Sequence, residues 1–217
     1  MITVSAFRWV PPFARGLVRD LRVRWALEEA GLPYRTRLIG ADDQKSTSYR
    51  ALQPFGQVPA FEENGLTLFE SGAILLHIAQ RSEALLPADA KARARATTWM
   101  FAALNSIEPH IQNLTAIDLF HAEQDWAKAR RPAALQLAQS RLASLSDWME
   151  DRDYLEDNRF TVADLLMTTV LRIPRHCDLI AQYPTLDAYR LRCEARPALK
   201  RALDAQIADF QDKPAAA

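Results

Sequence analysis

FGQVPAFEENGLTLFESGA, residues 55–73, contains a strand-opening proline, a hairpin turn and the start of a helix. The tetrad EENG at 62–65 separates two short apolar runs, which are predicted to pair as antiparallel strands because Asn-Gly accepts the positive φ angles of a tight turn. Pro59 opens the first strand, where its missing N–H disrupts no ladder bond. Glu70-Ser71 follows the second strand and precedes GAILLHIA, an apolar run that we expect to be helical.

Two features of this stretch have both a structural and a functional explanation. A cis peptide bond at Pro59 would turn the backbone groups of Val58 toward a ligand, although only about one X-Pro bond in twenty is cis in folded proteins. The first N–H groups of the helix at Ser71 lack partners and carry the positive end of its dipole, which suits a bound carboxylate. Ser71 as a simple N-cap, or Glu70 as a charge that complements the dipole, explains the same residues without a ligand. These two residues alone favour the explanations without a ligand.

The composition of the 217-residue chain is typical of a soluble globular protein with one large or two modest cores. Its 27 basic residues balance 27 acidic ones, so no long-range field favours nucleic acid or an anionic membrane. The N-terminal residues lack a secretory-signal pattern, and no apolar run approaches the roughly 18 residues of a membrane span, so we expect a cytoplasmic protein. Cys177 and Cys193 are too widely spaced for a CxxC pair and are expected to be reduced and mostly buried.

The order of strand-like and helix-like segments predicts two domains. Up to residue 81 both kinds of segment alternate, beginning with the strand ITVSAF, and this predicts an α/β domain over 1–81. Its first helix is expected from Gly16 to Gly31. Residues 82–90, SEALLPADA, are a predicted linker, after which strand signals disappear. We therefore expect an all-helical domain over 91–217, with helices at 90–115, 123–148, 161–174 and 184–210 and the final PAAA as a frayed tail.

Residues 161–164, TVAD, have the spacing of a capping box, with Asp in place of the usual Glu or Gln. The Thr161 hydroxyl is expected to accept a bond from the N–H three residues on, while the Asp164 carboxylate reaches back. We interpret this motif as a folding element. The substitution Asp164→Ala is then expected to lower the stability by about 0.5–2 kcal/mol and to leave ligand binding unchanged.

Several motifs in one order resemble the cytosolic, bacterial-type glutathione S-transferase family. FGQVPAF followed by LFESGAILLHIA is similar to the glutathione-binding half of that family, and RVRWALEEAGLPYR is similar to its first helix and second strand. NRFTVADLLMTTVLR and YPTLDAYRLRCEARPALKRAL are similar to its helical domain. The resemblance covers nearly the whole chain. It implies a thioredoxin-like α/β N-terminal domain with a cis proline after a valine, an all-α C-terminal domain, and glutathione as co-substrate.

The resemblance also implies roles for residues of the first domain. Ser71 and the helix N–H groups would hold the γ-glutamyl carboxylate of glutathione, and Glu70 would contact its ammonium. Val58 would exchange main-chain hydrogen bonds with the cysteinyl unit, as an added strand does at a sheet edge. Gln57 is expected near the same ligand. Lys45 is expected either to reach the glycine carboxylate or to be an exposed surface lysine.

The group that would stabilise the glutathione thiolate is not evident from the resemblance. A free thiol, with a pKa of about 8.5, is mostly protonated at neutral pH and needs such a group. Most classes of the family place a Tyr, Ser or Cys just after the first strand. Residues 6–20 here read AFRWVPPFARGLVRD and contain none of the three.

Arg15 is our first candidate for this role. Arg15 and Arg19 are predicted in the first turns of a helix, where cations oppose the dipole, and such a local conflict is a sign of function. The helix N–H groups around 13–16 and the indole N–H of Trp9 are further predicted donors. Solvated surface arginines are an equally good explanation of the pair, and Ser5 is a weaker candidate for the thiolate.

The resemblance places an electrophile pocket between the domains, and its candidate residues are mostly aromatic: Trp9, Phe13, Trp99, Phe101, Asn105, His110 and Phe120. Aromatic residues at helical spacing are also typical of a core. Neither His110 nor His121 has a neighbouring pattern at metal-ligand spacing, so we expect no metal.

Two functions remain open from the sequence. The first, which we favour, is an enzyme that transfers glutathione to a small electrophile or uses it as a reductant. The alternative is a non-catalytic glutathione-binding scaffold with the same fold, because the usual Tyr, Ser or Cys is missing. The SSCxxR pattern of the related maleylacetoacetate isomerases is absent. The resemblance implies a homodimer, with isologous pairing.

Overall fold

The computed structural model describes residues 1–156 and 158–211 and divides the chain into two compact units. The first unit contains residues 1–85 and the segment that begins at Arg196, and the second is Leu86–Ala195. The predicted boundaries, 1–81 and 91–217, differ from this division in the last helix, which packs within the first unit. The PAAA tail, predicted to be frayed, lies outside the described residues.

Within the described residues the first unit holds one four-stranded sheet with the strand order β2-β1-β3-β4. The strands are β1 Ile2–Phe7, β2 Tyr34–Ile39, β3 Phe61–Glu63 and β4 Leu66–Leu68. The pair β1/β2 is parallel, whereas β3 is antiparallel to both β1 and β4. The predicted hairpin is confirmed, with φ of 49° at Asn64 and 83° at Gly65. The first strand of that hairpin is shorter than predicted, because pairing starts at Phe61.

The helices of the sheet-containing segment are α1 Asp20–Ala30, α2 Ala41–Lys45, α3 Thr47–Arg50 and α4 Ser71–Ala79. Helix α1 ends as predicted, with Gly31 in the left-handed region at φ 66° and its N–H donating to the Leu27 carbonyl. The apolar face of α4 is buried, and α4 packs against α1. This arrangement places the start of α4 beside the interior face of α1.

The start of α1 was predicted wrongly: the helix begins at Asp20 and not at Gly16. Pro11 and Pro12 initiate a 3-10 turn over Pro12–Ala14, and Gly16 has a φ of 77°, which no right-handed helix contains. The residues between the two prolines and Asp20 therefore form successive turns.

The second unit contains α5 Ala90–Ala102, α6 Glu108–Phe120, α7 Asp125–Met149, α8 Val162–Leu171 and α9 Pro184–Glu194. The helix predicted over 90–115 is interrupted by a π-helical turn, Ala103–Ile107, and continues to Phe120. Pro109 explains the interruption, because it has no N–H to donate to the carbonyl four residues earlier. The capping box is confirmed at the start of α8.

The helix predicted over 184–210 is two helices, α9 and α10 Pro197–Asp209. Arg196 precedes a proline and is extended, with φ −68° and ψ 130°, as the steric demand of the proline ring requires. This break lets α10 pack against α1 within the first unit.

Buried charges join α10 to α1. Arg24, 1% exposed, donates to Asp20 at 2.8 Å and to Asp209 at 2.6 Å, and Gln206 donates to Asp20 at 2.8 Å. Burial raises the pKa of Asp20 to about 6, against the lowering effect of Arg24. Removing one member of such a buried network is costly, because it leaves a charge without its partner. The sequence showed no sign of the pairing between α1 and α10, since its partners are more than 180 residues apart.

The expected thiols are present: Cys177 is half-buried, Cys193 is buried, and both are free of disulfides. Over the described residues, no helix combines the length and the apolar character that crossing a membrane demands.

Candidate active site

The segment just before β3 turns at Pro59. The peptide bond between Val58 and Pro59 is cis, the geometry that the resemblance implied. Over residues 1–156 and 158–211, neither the N–H nor the C=O of Val58 hydrogen-bonds to another backbone group. Backbone bonding of this segment to β1 ends at Ala60, whose carbonyl accepts the Ser5 amide at 2.9 Å, so Val58 lies beyond the last residue that bonds to the sheet.

Side chains from two distant parts of the chain hold this segment. Ser5 on β1 accepts a bond from the Ala60 N–H at 2.7 Å, and the Tyr49 hydroxyl on α3 donates to the Gln57 carbonyl at 2.6 Å. The two hydroxyl oxygens lie 2.7 Å apart. Ser5, the weaker thiolate candidate of the sequence, therefore has its hydroxyl engaged within the protein. Gln57 itself is exposed, as a residue beside a ligand would be.

The loop is also anchored at Gly56. Its carbonyl accepts a bond from the Gln44 side chain at 2.8 Å, and its φ is 67°. A Cβ at this position would lie 2.7 Å from the Gln44 carbonyl oxygen, so only glycine fits this close approach. Lys45, next along α2, is exposed; its role toward a glycine carboxylate stays a prediction.

The start of α4 differs from the simple cap that Ser71 alone suggested. Glu70 is the N-cap residue and Ser71 is the first residue of the helix. Glu70 is exposed, its side chain makes no cap hydrogen bond, and its backbone has φ 66° and ψ 113°. A glutamate rarely adopts a positive φ, and residues held this way cost of order 1–3 kcal/mol and cluster at functional sites.

Arg22 is a residue of this site that the sequence analysis missed. It is 3% exposed and donates from Nη1 to the Ser71 hydroxyl at 3.2 Å. Arg22 lies on the same face of α1 as Trp25, within the apolar stripe by which the helix was recognised. A cation inside an apolar stripe was the available signal, because buried arginines need polar partners.

The region predicted to stabilise a thiolate has a different backbone from the expected one. The amides of Ala14, Arg15 and Leu17 donate to the carbonyls of Pro11, Pro12 and Ala14, so they are used in turns and are not orphan donors of a helix start. Arg19 is the N-cap residue of α1, whereas Arg15 precedes the helix. The argument from the helix dipole therefore fails for Arg15.

Arg15 and Trp9 are nevertheless both half-buried. The Arg15 guanidinium carbon lies 5.7 Å from the centroid of the Phe210 ring, close enough for a cation–π contact. Trp9 and the neighbouring end of β1 line a cavity of about 710 Å³ whose other wall is α2. Phe13, in the 3-10 turn, is 43% exposed. The catalytic roles of these residues remain predictions.

The pocket candidates of the second unit have mixed surroundings. Trp99 donates its indole N–H to Glu156 at 3.0 Å and packs its ring 5.2 Å from that of Trp148, which favours the core explanation for this residue. Asn105 is exposed in the π-helical turn, and His110 is half-buried on α6. Phe101 and Phe120 are exposed.

One cluster of the second unit bears on the expectation of no metal. Ligand-type atoms of Asp118, His176 and Cys177 lie within 4.8 Å of one another. Arg131 engages both carboxylate oxygens of Asp118, at 2.6 and 3.0 Å, and burial raises the pKa of the Cys177 thiol. A bound cation would compete with this guanidinium, so the expectation stays a prediction.

Two family models match this chain. The glutathione S-transferase N-terminal domain matches residues 14–80, and the glutathione S-transferase C-terminal domain matches residues 103–197. The helical break at Arg196 coincides with the end of the second match.

Curated relatives and solved structures agree with the models. A glutathione S-transferase from Hyoscyamus muticus is 30% identical over 85% of this chain and 92% of its own length. The Escherichia coli disulfide-bond oxidoreductase YfcG is 29% identical over 84% and 89%. A glutathione transferase from Burkholderia graminis, solved with two glutathione molecules bound per subunit, has a TM-score of 0.81 at 27% identity, covering 94% of this chain and 88% of that chain. The predicted fold class and class of enzyme are confirmed. This chain belongs to the glutathione S-transferase family.

Proposed function

We propose that this protein binds glutathione along the main chain of Val58 and the start of α4, and activates its thiol to conjugate or reduce a small electrophile. The strained backbone of Glu70, with φ 66°, is the observation that carries the proposal. It holds an exposed carboxylate next to a buried serine hydroxyl at a helix N-terminus, an arrangement that a purely structural cap does not need.

Glu70 and Ser71 suit the γ-glutamyl end of glutathione, which carries one carboxylate and one ammonium. Because Arg22 donates to the Ser71 oxygen, the serine's own proton is available to donate to a carboxylate. The first N–H groups of α4 and the positive end of its dipole add to that attraction. The Glu70 carboxylate supplies the opposite charge for the ammonium.

The main chain of Val58 suits the middle of the tripeptide. Its N–H and C=O face no strand partner in the described part of the chain, and an extended peptide pairs with such groups as an added strand does. Gln57 and Lys45 are exposed beside this segment and are proposed to contact the same ligand. The Burkholderia graminis structure with bound glutathione supports this choice of ligand.

Arg15, with the indole N–H of Trp9, is proposed to stabilise the thiolate. A cation near a thiol lowers its pKa by favouring the charged form. The amides of Ala14 and Arg15 are engaged in turns, which favours side chains over these two main-chain donors. Phe13, Asn105 and His110 are proposed to contact the electrophile, whereas the contacts of Trp99 with Glu156 and Trp148 favour a core role for that residue. The names of the relatives include both transferases and a disulfide-bond oxidoreductase, so conjugation and reduction are both candidate reactions.

The test combines binding with turnover. Calorimetry with glutathione is expected to show one-step binding, and a panel of aryl halides, enals, isothiocyanates, organic peroxides and mixed disulfides is expected to reveal turnover with at least one class. Ser71→Ala should weaken glutathione by roughly 10- to 100-fold, as loss of a hydrogen bond to a charged group does. Ser144→Ala, which removes an exposed serine of α7, is the matched control and should bind normally.

The outcomes separate the two functions. Binding without turnover of any electrophile would favour the non-catalytic scaffold. Absence of binding in the unmutated protein would overturn the proposal. A homodimer is also proposed from the family resemblance, and a sedimentation mass of twice that of the chain would support it.

A further inference from the structure

The four-residue segment Gln57–Ala60, which surrounds Val58, is closed by two hydroxyl groups. The carbonyl of its first residue accepts a bond from the Tyr49 hydroxyl at 2.6 Å, and the amide of its last residue donates to the Ser5 hydroxyl at 2.7 Å. The Ser5 and Tyr49 oxygens are 2.7 Å apart. In an ordinary turn, the first carbonyl and the last amide bond to each other directly. Here the two hydroxyls stand between them.

The chemistry of the groups fixes the direction of this hydroxyl relay. A carbonyl only accepts, so Tyr49 must give its single proton to Gln57. The Ser5 oxygen must then donate its own proton to the Tyr49 oxygen, while it accepts from the Ala60 amide. Burial raises the pKa of Tyr49, more than the bond from Ser5 lowers it, so the tyrosine stays protonated at neutral pH. Every donor of the relay therefore has an acceptor.

Packing and a second backbone bond support the same segment. The Tyr49 ring lies in a buried cluster with Val58 and Ile39, so one side chain contacts the Val58 side chain and holds the carbonyl before it. Ser5 is fixed on β1, where its own amide donates to the Ala60 carbonyl at 2.9 Å. Ser5 and Tyr49 are 3% and 4% exposed, too little for direct contact with a ligand.

We propose that Ser5 and Tyr49 are positioning residues, which set the N–H and C=O of Val58 for pairing with the cysteinyl unit of the ligand; this inference rests on the glutathione binding proposed above. A peptide added at a sheet edge needs both partners of each main-chain bond in register. The relay fixes the residues on both sides of Val58 from β1 and α3, which a single short loop cannot do for itself.

Four variants test the proposal. Tyr49→Phe keeps the ring in its cluster and removes only the hydroxyl, and Ser5→Ala removes the other hydroxyl. Ser5→Thr keeps a hydroxyl in a strand that favours β-branched residues and should retain the unmutated affinity. Tyr183→Phe is the matched control, because it also removes a tyrosine hydroxyl that donates to a backbone carbonyl, that of Gln139 at 3.1 Å in the second unit.

Each variant is titrated with two ligands. One is glutathione, and the other is its analogue methylated on the cysteinyl amide nitrogen, which cannot donate that hydrogen to the protein. The unmutated protein should bind the analogue about tenfold more weakly than glutathione, the value of one hydrogen bond. Tyr49→Phe and Ser5→Ala should weaken glutathione about tenfold and the analogue only about threefold, because the analogue keeps only the bond from the Val58 N–H. A general loss of structure would weaken both ligands alike.

Denaturant unfolding tests whether the relay residues affect affinity only through the stability of the fold. Tyr49→Phe and Tyr183→Phe should lower the unfolding midpoint by similar amounts, and only Tyr49→Phe should lose affinity. Equal weakening of both ligands, or no weakening in either relay variant, would overturn the proposal even if the unmutated protein binds glutathione. If the unmutated protein binds neither ligand, the proposed function itself fails. If Tyr49→Phe does not fold, the pair Ser5→Ala and Ser5→Thr decides the question.

Discussion

Two buried networks of hydrogen bonds, one in each unit, are built from similar groups, hydroxyls and backbone amides, but are expected to have different roles. In the second unit the Asp164 carboxylate accepts four bonds: from the amides of Leu155 and Thr161, and from the hydroxyls of Thr161 and Tyr189. In the first unit the neutral relay of Ser5 and Tyr49 joins two backbone groups beside Val58. Each network includes a buried tyrosine whose hydroxyl donates to an acceptor on another segment.

The two networks differ in how many hydrogen bonds a single acceptor receives. Asp164 is a single acceptor for four donors, so its loss leaves several buried groups without partners, each costing about 1–3 kcal/mol. The relay passes one bond to the next, so loss of one hydroxyl leaves fewer such groups but frees the loop that carries Val58. We therefore expect the Asp164 network to affect mainly the stability of the fold and the Ser5–Tyr49 relay to affect mainly the affinity for the ligand.

The largest expected effect is that of Asp164→Ala. Because four buried donors lose their acceptor, the free energy of unfolding should fall by about 3–5 kcal/mol. This is more than the 0.5–2 kcal/mol of an ordinary cap, which the sequence predicted. Urea denaturation measures the change, and calorimetry at a temperature where the variant is folded should show unchanged affinity for glutathione.

The matched control is Asp89→Ala. Asp89 caps α5 and accepts one bond, from the Ala92 amide at 2.7 Å. Its loss should lower the free energy of unfolding by only about 0.5–2 kcal/mol. If the two substitutions lowered the free energy of unfolding equally, the number of hydrogen bonds that each carboxylate accepts would not explain the effect.

The next effect concerns Glu70, where stability and affinity should change in opposite directions. Glu70→Gly should relieve the strain of φ 66° and raise the free energy of unfolding by about 1 kcal/mol, after the greater freedom of glycine in the unfolded chain is counted. It should weaken glutathione about tenfold or more, because the carboxylate proposed to bind the ammonium is gone. Thermal unfolding and calorimetry measure the two quantities.

Two further variants separate strain from charge. Glu70→Gln keeps the strain and removes the charge, so it should lose affinity without gaining stability. Asn64→Gly relieves a positive φ of 49° in the hairpin turn, away from the proposed ligand contacts, and should leave affinity unchanged. If Glu70→Gly bound glutathione normally, the functional explanation of its strained backbone would be wrong.

The features that the sequence predicts correctly are those set by residues close to one another in the chain. The hairpin at Asn64-Gly65, the capping box at Thr161 and the glycine end of α1 each depend on residues close in sequence, and all three are confirmed. The start of α1 was placed wrongly, and the break between the last two helices was missed. In both cases a proline, Pro12 or Pro197, imposes backbone geometry that apolar periodicity does not reveal.

The contacts that complete the candidate site lie outside the reach of such signals. Arg22 meets Ser71 across 49 residues, and Ser5 meets Tyr49 across 44. Each of these side chains has an ordinary local explanation, a polar residue within a helix, a strand or a short turn. Their partners are set by how α1, α3 and α4 pack on the sheet, which one sequence does not specify residue by residue.

The smallest expected effect is on the thiol of bound glutathione. Arg15→Ala should raise the thiol pKa by about one unit, equivalent to about 1.4 kcal/mol, since a half-buried cation favours the thiolate only in part. The pH dependence of thiolate absorbance in the complex measures this shift. Arg19→Ala is the matched control, because Arg19 is a half-buried arginine at the N-cap of α1, four residues farther along the chain. An equal shift in both variants would indicate a general effect of positive charge, and an unchanged pKa in Arg15→Ala would leave the indole of Trp9 as the remaining side-chain candidate.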